Sequence, residues 1–274
     1  MKITNHKLLS ESVSEIIVSD STNNVGGVID PQFIIIHFTA GQSAESSVEW
    51  FKNPSAKASA HLVIGRDGKI IQLVDFNKMA WHAGKSKWAD FNGFNNFSIG
   101  IELDNPGRLT KVGDRYLSWF KAEYSKDNVV EMPHKHEKGN SYWYEYTKEQ
   151  IDACMKVCKL IMEKYHIQDI LGHDDIAPYR KDDPGPLFPM ESFRSKLLGR
   201  EDNTADIYEV IADAVNIRKG PSTKFGSYGQ LNQATKVEFI KSSMGWFLVY
   251  VLDKPQQNDD TLYGWINGSL LKKL

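Results

Sequence analysis

One loop, Gly172-His173-Asp174-Asp175-Ile176-Ala177-Pro178-Tyr179-Arg180-Lys181-Asp182-Asp183-Pro184-Gly185-Pro186, gathers a histidine, a lysine and a carboxylate among its prolines and glycines. Proline fixes φ and removes a donor, so this stretch is neither helix nor inner strand but a shaped loop. Such loops, held on a rigid scaffold, are where ligating and catalytic side chains collect. With His37, the loop's His173 and Asp183 make two imidazoles and a carboxylate. That set suits zinc and leaves a fourth position for water. Zinc brings the pKa of such a water to about 7 and polarises a carbonyl oxygen, so the chemistry on offer is hydrolysis. Glu102 is then a candidate general base, and Lys181 a candidate source of positive charge for a tetrahedral oxyanion. His61 and His82 compete for the ligand positions, and spacing alone does not rank the histidines. His134 and His136 have no third ligand in register and read as solvated side chains.

These residues need elements to hold them. His37 ends Phe33-Ile34-Ile35-Ile36-His37-Phe38, a β-branched run of the kind buried on both faces of a sheet, and α/β sheets bind ligands at the carboxyl ends of their strands. Ser43 caps a short helix reaching Lys52, with Val48 and Phe51 inward. Residues 59–65 and 69–74 flank Arg66-Asp67-Gly68, which predicts a β-hairpin. In Phe97 to Leu103 the apolar residues alternate with Ser98, Gly100 and Glu102, and the small neighbours predict a hollow beside Glu102. Residues 104–146, broken by Pro106, Gly107, Pro133 and Gly139, read as an extended insertion whose aromatics either line a groove or bury the insertion itself. Thr147-Lys148-Glu149-Gln150 is a capping box that opens a helix carrying Ile151, Cys154, Cys158 and Ile161 on one face. Cys154 and Cys158 therefore pack as small apolar groups, which excludes a disulfide framework. A short strand at Asp169-Ile170-Leu171 delivers the loop, and a helix from Met190 to Leu198 stops at Gly199. Residues 1–30 read as an irregular lead-in.

Length and charge bound the rest. The chain has 274 residues, and Lys+Arg 33 against Asp+Glu 35 gives a net charge of -2, which argues against a nucleic-acid partner. No apolar run is long enough to span a membrane. The start Met1-Lys2-Ile3-Thr4-Asn5-His6 lacks the apolar core of a secretion signal, so synthesis in the cytoplasm is expected, with any action on a cell wall following non-classical release. A polar stretch at 199–206 divides residues 1–198 from residues 207–274. In the second unit short runs around 209–210, 215–218, 236–240, 246–250 and 264–266 describe a small all-β barrel with no catalytic constellation.

A resemblance now orders the candidates. Ile34-Ile35-Ile36-His37-Phe38-Thr39, Ser59-Ala60-His61, Ala80-Trp81-His82-Ala83-Gly84, Ser98-Ile99-Gly100-Ile101-Glu102-Leu103 and the loop from Gly172-His173 to Pro186 occur in this order within residues 31–190. Together they resemble the type 2 N-acetylmuramoyl-L-alanine amidases, the AmpD-like group related to peptidoglycan recognition proteins. The resemblance implies an α/β fold, with a mixed central sheet flanked by helices. It implies Zn2+ on His37, His173 and Asp183, with Glu102 and Lys181 as the catalytic pair. The reaction would be hydrolysis of the amide between N-acetylmuramic acid and L-alanine in peptidoglycan or muropeptides. His61, Trp81 and His82 match positions near the cleft and are expected to contact substrate. A non-catalytic recognition module on the same fold should lack a ligand or one of the pair, and all five residues are present. The insertion at 104–146 departs from the compact members of the family. The tail resembles a bacterial SH3-like domain through Val215-Asn216-Ile217-Arg218-Lys219-Gly220-Pro221-Ser222, Gly245-Trp246 and Tyr263-Gly264-Trp265-Ile266. In that company such domains commonly hold wall polymer or peptide stems.

Overall fold

The computed structural model describes residues 1–12, 15, 17–199, 206–252 and 263–274. The site is built on nine elements: β1 (Phe33–Phe38), α1 (Ala44–Lys52), β2 (Leu62–Ile64), β3 (Ile70–Gln72), β4 (Ser98–Leu103), α2 (Lys148–Lys164), β5 (Asp169–Gly172), α3 (His173–Ile176) and α4 (Met190–Leu198). The β-branched run of β1 sits centrally, parallel to β5 on one side and β4 on the other, in a mixed sheet ordered β5-β1-β4-β2-β3 and edged by Ile17–Ser19. β2 runs parallel to β4, whereas β3 returns antiparallel through the Arg66-Asp67-Gly68 turn, where Gly68 takes a φ of 82°.

Alternation decides what each face meets. Ile34, Ile36, Ile99, Ile101 and Ile170 turn to α2, which lays Ile151, Cys154, Val157, Cys158 and Ile161 against them. Both cysteines are free and buried there. The capping box is formed as the sequence predicts: Thr147 Oγ1 accepts from Gln150 N at 3.2 Å and Gln150 Oε1 from Thr147 N at 3.2 Å. On the opposite face Ala44, Val48 and Phe51 of α1 cover Val63 and Ile71, while Ala83, Phe94 and Ile176 cover Phe33, Ile35 and Leu171. The sheet therefore has two dry faces, and the carboxyl ends of β1, β4 and β5 form the open edge that carries the site.

Two regions differ from expectation. The lead-in contains a hairpin of Lys2–Thr4 with Lys7–Leu9, and Ile17–Ser19 extends the central sheet. The insertion is a five-stranded antiparallel sheet built from Arg108–Val112, Arg115–Leu117, Glu123–Tyr124, Val129–Pro133 and Asn140–Tyr144. Consecutive Tyr142-Trp143-Tyr144 hide the alternation that would have revealed its last strand. Its aromatics divide, with Tyr116, Trp143 and Tyr146 buried and Trp119 exposed.

The tail is all-β, as expected, with seven strands in one sheet among its described residues, including Ser227–Leu231 and Leu271–Lys273, which the sequence does not announce. Of the expected linker, residues 200–205 lie outside the described residues. The tail does not merely trail behind it. Leu248, Tyr250 and Trp265 belong to the same buried cluster as Leu187, Phe188 and Phe193, and Lys196 of α4 stands 3.3 Å from the centre of the Tyr250 ring. Ser192 Oγ donates to Glu238 Oε1 at 3.2 Å across the same interface. Trp265→Ala is accordingly expected to cost about 3–5 kcal/mol, seen as a lowered midpoint in denaturant for the region carrying α4 as well as for the tail.

Candidate active site

Parallel register brings the dispersed residues together. Glu102 of β4 pairs with His37 of β1, and Gly172 of β5 pairs with Ile36, so His173 follows one step beyond the sheet. The loop returns Asp183 to the same place, its carbonyl accepting from Asp174 N at 2.8 Å. His37 Nδ1 lies 2.8 Å from Asp183 Oδ2, His173 Nδ1 lies 3.0 Å from the same oxygen, and the two Nδ1 atoms are 3.0 Å apart. All three side chains are buried. Burial, with the neighbouring His173, pulls the His37 imidazole down to about 4. Burial pushes the Asp183 carboxyl up, but His173 and His37 outweigh it and hold the group well below the usual carboxylate range. A neutral imidazole and an ionised carboxylate are the forms that bind a metal.

The outer contacts assign the tautomers. His173 Nε2 lies 3.1 Å from the Ala83 carbonyl, which can only accept, so Nε2 carries the proton and Nδ1 a lone pair. For His37 the chain of logic is longer. Ser98 Oγ donates its single proton to the Phe94 carbonyl at 2.5 Å, so toward His82 Nε2, 3.2 Å away, it accepts. His82 is then protonated on Nε2 and accepts at Nδ1 from His37 Nε2 at 2.9 Å. His37 Nδ1 is left with a lone pair. Three acceptors thus face one another within about 3 Å with no proton of their own between them, a donor set that fits a cation. Among the described residues, His37, His173 and Asp183 form the group of side chains able to hold a metal ion.

The hollow beside Glu102 is real, and its occupant is His82. A Cβ at Gly100 would collide with the His82 ring, so the glycine is what lets the imidazole reach His37. His61 corrects an expectation: it is fully buried, its Nε2 bound to the Lys78 carbonyl at 2.8 Å and its Nδ1 accepting from Gly100 N at 3.0 Å. It therefore braces β4 beside His82, whose ring centre lies 5.9 Å from its own, and has no free atom for a substrate. Trp81 and His82 do line the cleft.

Glu102 and Lys181 open into that same cleft, a space of about 580 Å³ that also reaches His37, His173 and Asp183. Glu102 Oε2 is buried with no hydrogen-bond partner among the described residues. Burial, reinforced by the charge on Asp183 and opposed by Lys181, raises its carboxyl well above the ordinary range. An unsatisfied buried carboxylate is costly to keep, and its lone pair points to a partner supplied by a substrate or water.

Several supporting residues carry no sequence signal. Asp174 accepts from Lys135 Nζ at 2.8 Å and sits 3.0 Å from His134 Nε2, and its carbonyl lies 2.9 Å from His136 Nε2. His134 and His136 are thus fasteners of the loop rather than solvated side chains, since His134 is 3 % exposed. Tyr146 donates to the Pro184 carbonyl at 2.7 Å and fixes the loop's far end. Ser98 could have been noticed as the second small residue on the face of Glu102, but its partner could not.

Residues 28–186, more than half of the chain, match the family described as N-acetylmuramoyl-L-alanine amidase, and residues 213–272 match the bacterial SH3 domain. The chain is similar to the N-acetylmuramoyl-L-alanine amidase AmiD of Escherichia coli K12, with 33% identity over 175 residues, 61% of this chain and 53% of that protein. It is also similar to the 1,6-anhydro-N-acetylmuramyl-L-alanine amidase AmpD of the same strain, with 36% identity over 138 residues, 50% of this chain and 57% of that one. The match thus spans about half the length of these curated relatives. A crystal structure of a selenomethionine AmpD derivative aligns at 25% identity with a TM-score of 0.49, covering 71% of this chain and 98% of that one.

Proposed function

The chain belongs to the N-acetylmuramoyl-L-alanine amidase family, and from that membership we propose that it hydrolyses the amide joining N-acetylmuramic acid to L-alanine in peptidoglycan or its muropeptides. The observation that carries the reading is the convergence of three lone-pair donors, His37, His173 and Asp183, beside the unpartnered Glu102. Those three residues would hold Zn2+, which when bound polarises the amide carbonyl and acidifies water. Glu102 takes the proton of the attacking water and later returns it to the departing amine, a role suited to a carboxylate whose proton affinity is raised. Lys181, exposed at the rim of the cleft, brings a positive charge to the oxygen that gains negative charge in the tetrahedral state. The dry sheet faces behind the site keep water to the open side. Residues 1–198 act as the catalytic unit in this reading, and residues 207–274 as a holder of wall polymer or stem peptide.

The direct test is mass spectrometry of purified peptidoglycan and soluble muropeptides after digestion. Peptides with a free L-alanine amine, together with glycan ending in an intact lactyl group, are expected. Intact muropeptides that remain bound to the zinc-loaded protein would favour a recognition module instead.

A further outcome concerns the metal's surroundings. Ser98→Ala and His82→Ala remove links that fix the His37 tautomer, and each is expected to weaken zinc binding about 10–100-fold while leaving the fold intact. Competition with a chromophoric chelator measures this without reference to activity. Unchanged zinc affinity in both variants would show that β1 alone orients His37.

A further inference from the structure

We propose that the insertion equips the cleft with a saccharide subsite whose platform is Trp119, so that the enzyme takes glycan longer than the single reacting muramyl residue. The inference rests on the amidase reading and adds a substrate class to it. Trp119 comes from the insertion, on the tight turn between Arg115–Leu117 and Glu123–Tyr124, where Lys121 N donates to the Ser118 carbonyl at 3.0 Å and Ser118 N to the Ala122 carbonyl at 2.9 Å. It is 71% exposed, yet it does not hang free. Its indole Nε1 donates to the Ala40 carbonyl at 2.7 Å, in the turn that follows β1, and the ring of Phe120 stands edge-on at 5.5 Å. A large apolar ring held in a fixed pose with its face bare to solvent is an unusual expense for a surface loop, and rigid aromatic surface on a cleft marks a ligand site. Trp119 lines the same cleft as Glu102 and Lys181. Trp50, on α1 and 57% exposed, lines it too.

The lining says which ligand. Among the described residues of this cleft, the carboxylates and the ammonium are Glu102, Lys181, Asp182 and Asp183, all of them of β4 or the metal loop. Around Trp119 and Trp50 the wall is Ala40, Gly41, Ser46 and Ser47, which offers apolar surface and two hydroxyl oxygens whose protons go to the Ser43 carbonyl, but no charge. The indole N–H is already used by Ala40, so Trp119 presents ring faces and not a donor. A neutral ring with a flat C–H face and hydroxyl edges, a pyranose, matches such a surface. A stem peptide does not, because its carboxylates seek cations. Those lie on the other side of Lys181, where a separate polar space is lined by Arg180 and by Arg108, the latter already paired with Glu137 and Asp182. The glycan therefore runs toward Trp119 and the peptide toward Arg180.

The test uses the full zinc-loaded chain and two soluble substrates with one peptide, carried either on a single N-acetylmuramic acid or on a four-sugar glycan. Trp119→Ala is expected to raise KM for the four-sugar substrate roughly 5–10-fold with kcat retained, to leave the one-sugar kinetics unchanged, and to be largely rescued by Trp119→Phe. Equal losses on both substrates would mean that Trp119 only braces the Ala40 turn, and no loss on either would mean that the sugar lies elsewhere. Both results overturn the subsite. In parallel, the Glu102→Gln protein is titrated calorimetrically with the peptide-free tetrasaccharide. Binding that Trp119→Ala abolishes is the expected companion of the KM split, and absent binding beside normal cleavage overturns the subsite. Failure of the wild-type chain to cut any muramyl peptide would instead count against the amidase reading.

Discussion

Replacement of His173 by alanine is expected to remove stoichiometric zinc and, with it, amide hydrolysis. Both losses should be near complete, because the remaining His37 and Asp183 form a two-ligand site that holds the ion poorly. The effect should be larger than that of any surrounding residue. His173 Nδ1 is in contact with both other ligand atoms, at 3.0 Å each, and its Nε2 is committed to Ala83, so no other atom of the ring is spare. Asp183→Asn should behave alike, since it removes the negative charge that two imidazoles and a cation share. Elemental analysis of purified variants, with circular dichroism to show that the fold persists, gives the answer. Full zinc retention in His173→Ala would transfer the ligand role to His82, whose Nδ1 lies 2.9 Å from His37.

How much of this was readable in advance follows from what each feature depends on. His37 was legible because its strand is β-branched throughout and ends in a small-residue turn, features that are local. Glu102 was legible because period-two alternation put it with Ser98 and Gly100, and the register with His37 follows from parallel pairing. The loop ligands were legible because prolines and glycines shape that segment from within. The role of His82 was not, since it depends on one ring entering the gap over Gly100 from a loop whose path no pattern encodes. His61 was misjudged for the related reason that a motif names a neighbour of the site without saying whether backbone groups already engage its ring atoms. The strands of the insertion were obscured by adjacent aromatics. Tyr250 and Trp265 could be read as buried, but whether they serve the tail's own core or the seam against α4 is fixed only when the two units meet.

Glu102→Gln separates catalysis from architecture, and its expected effects have opposite signs. Turnover should fall by about a hundredfold or more with zinc still bound, because the general base is lost and no metal ligand is touched. Stability of the zinc-free protein should rise. The Glu102 carboxyl, raised well above its ordinary value of 4.5, keeps in the folded state a proton that the unfolded chain releases. Between that ordinary value and the folded one, the native state therefore binds more protons than the unfolded state, and stability falls as pH increases. Glutamine carries no such charge. The advantage of the variant should thus be small near pH 4.5, where the unfolded glutamate begins to ionise, and grow toward neutrality, reaching about 1–2 kcal/mol. In a chain of this size that corresponds to a Tm higher by roughly 2–8 °C, readable by calorimetry of zinc-stripped protein at several pH values. Zinc bound nearby should shrink the difference, since a cation favours the ionised carboxylate. A variant less stable than the parent at neutral pH would mean that Glu102 is held by contacts that favour its charge, and activity near that of the parent would remove it from the general-base role.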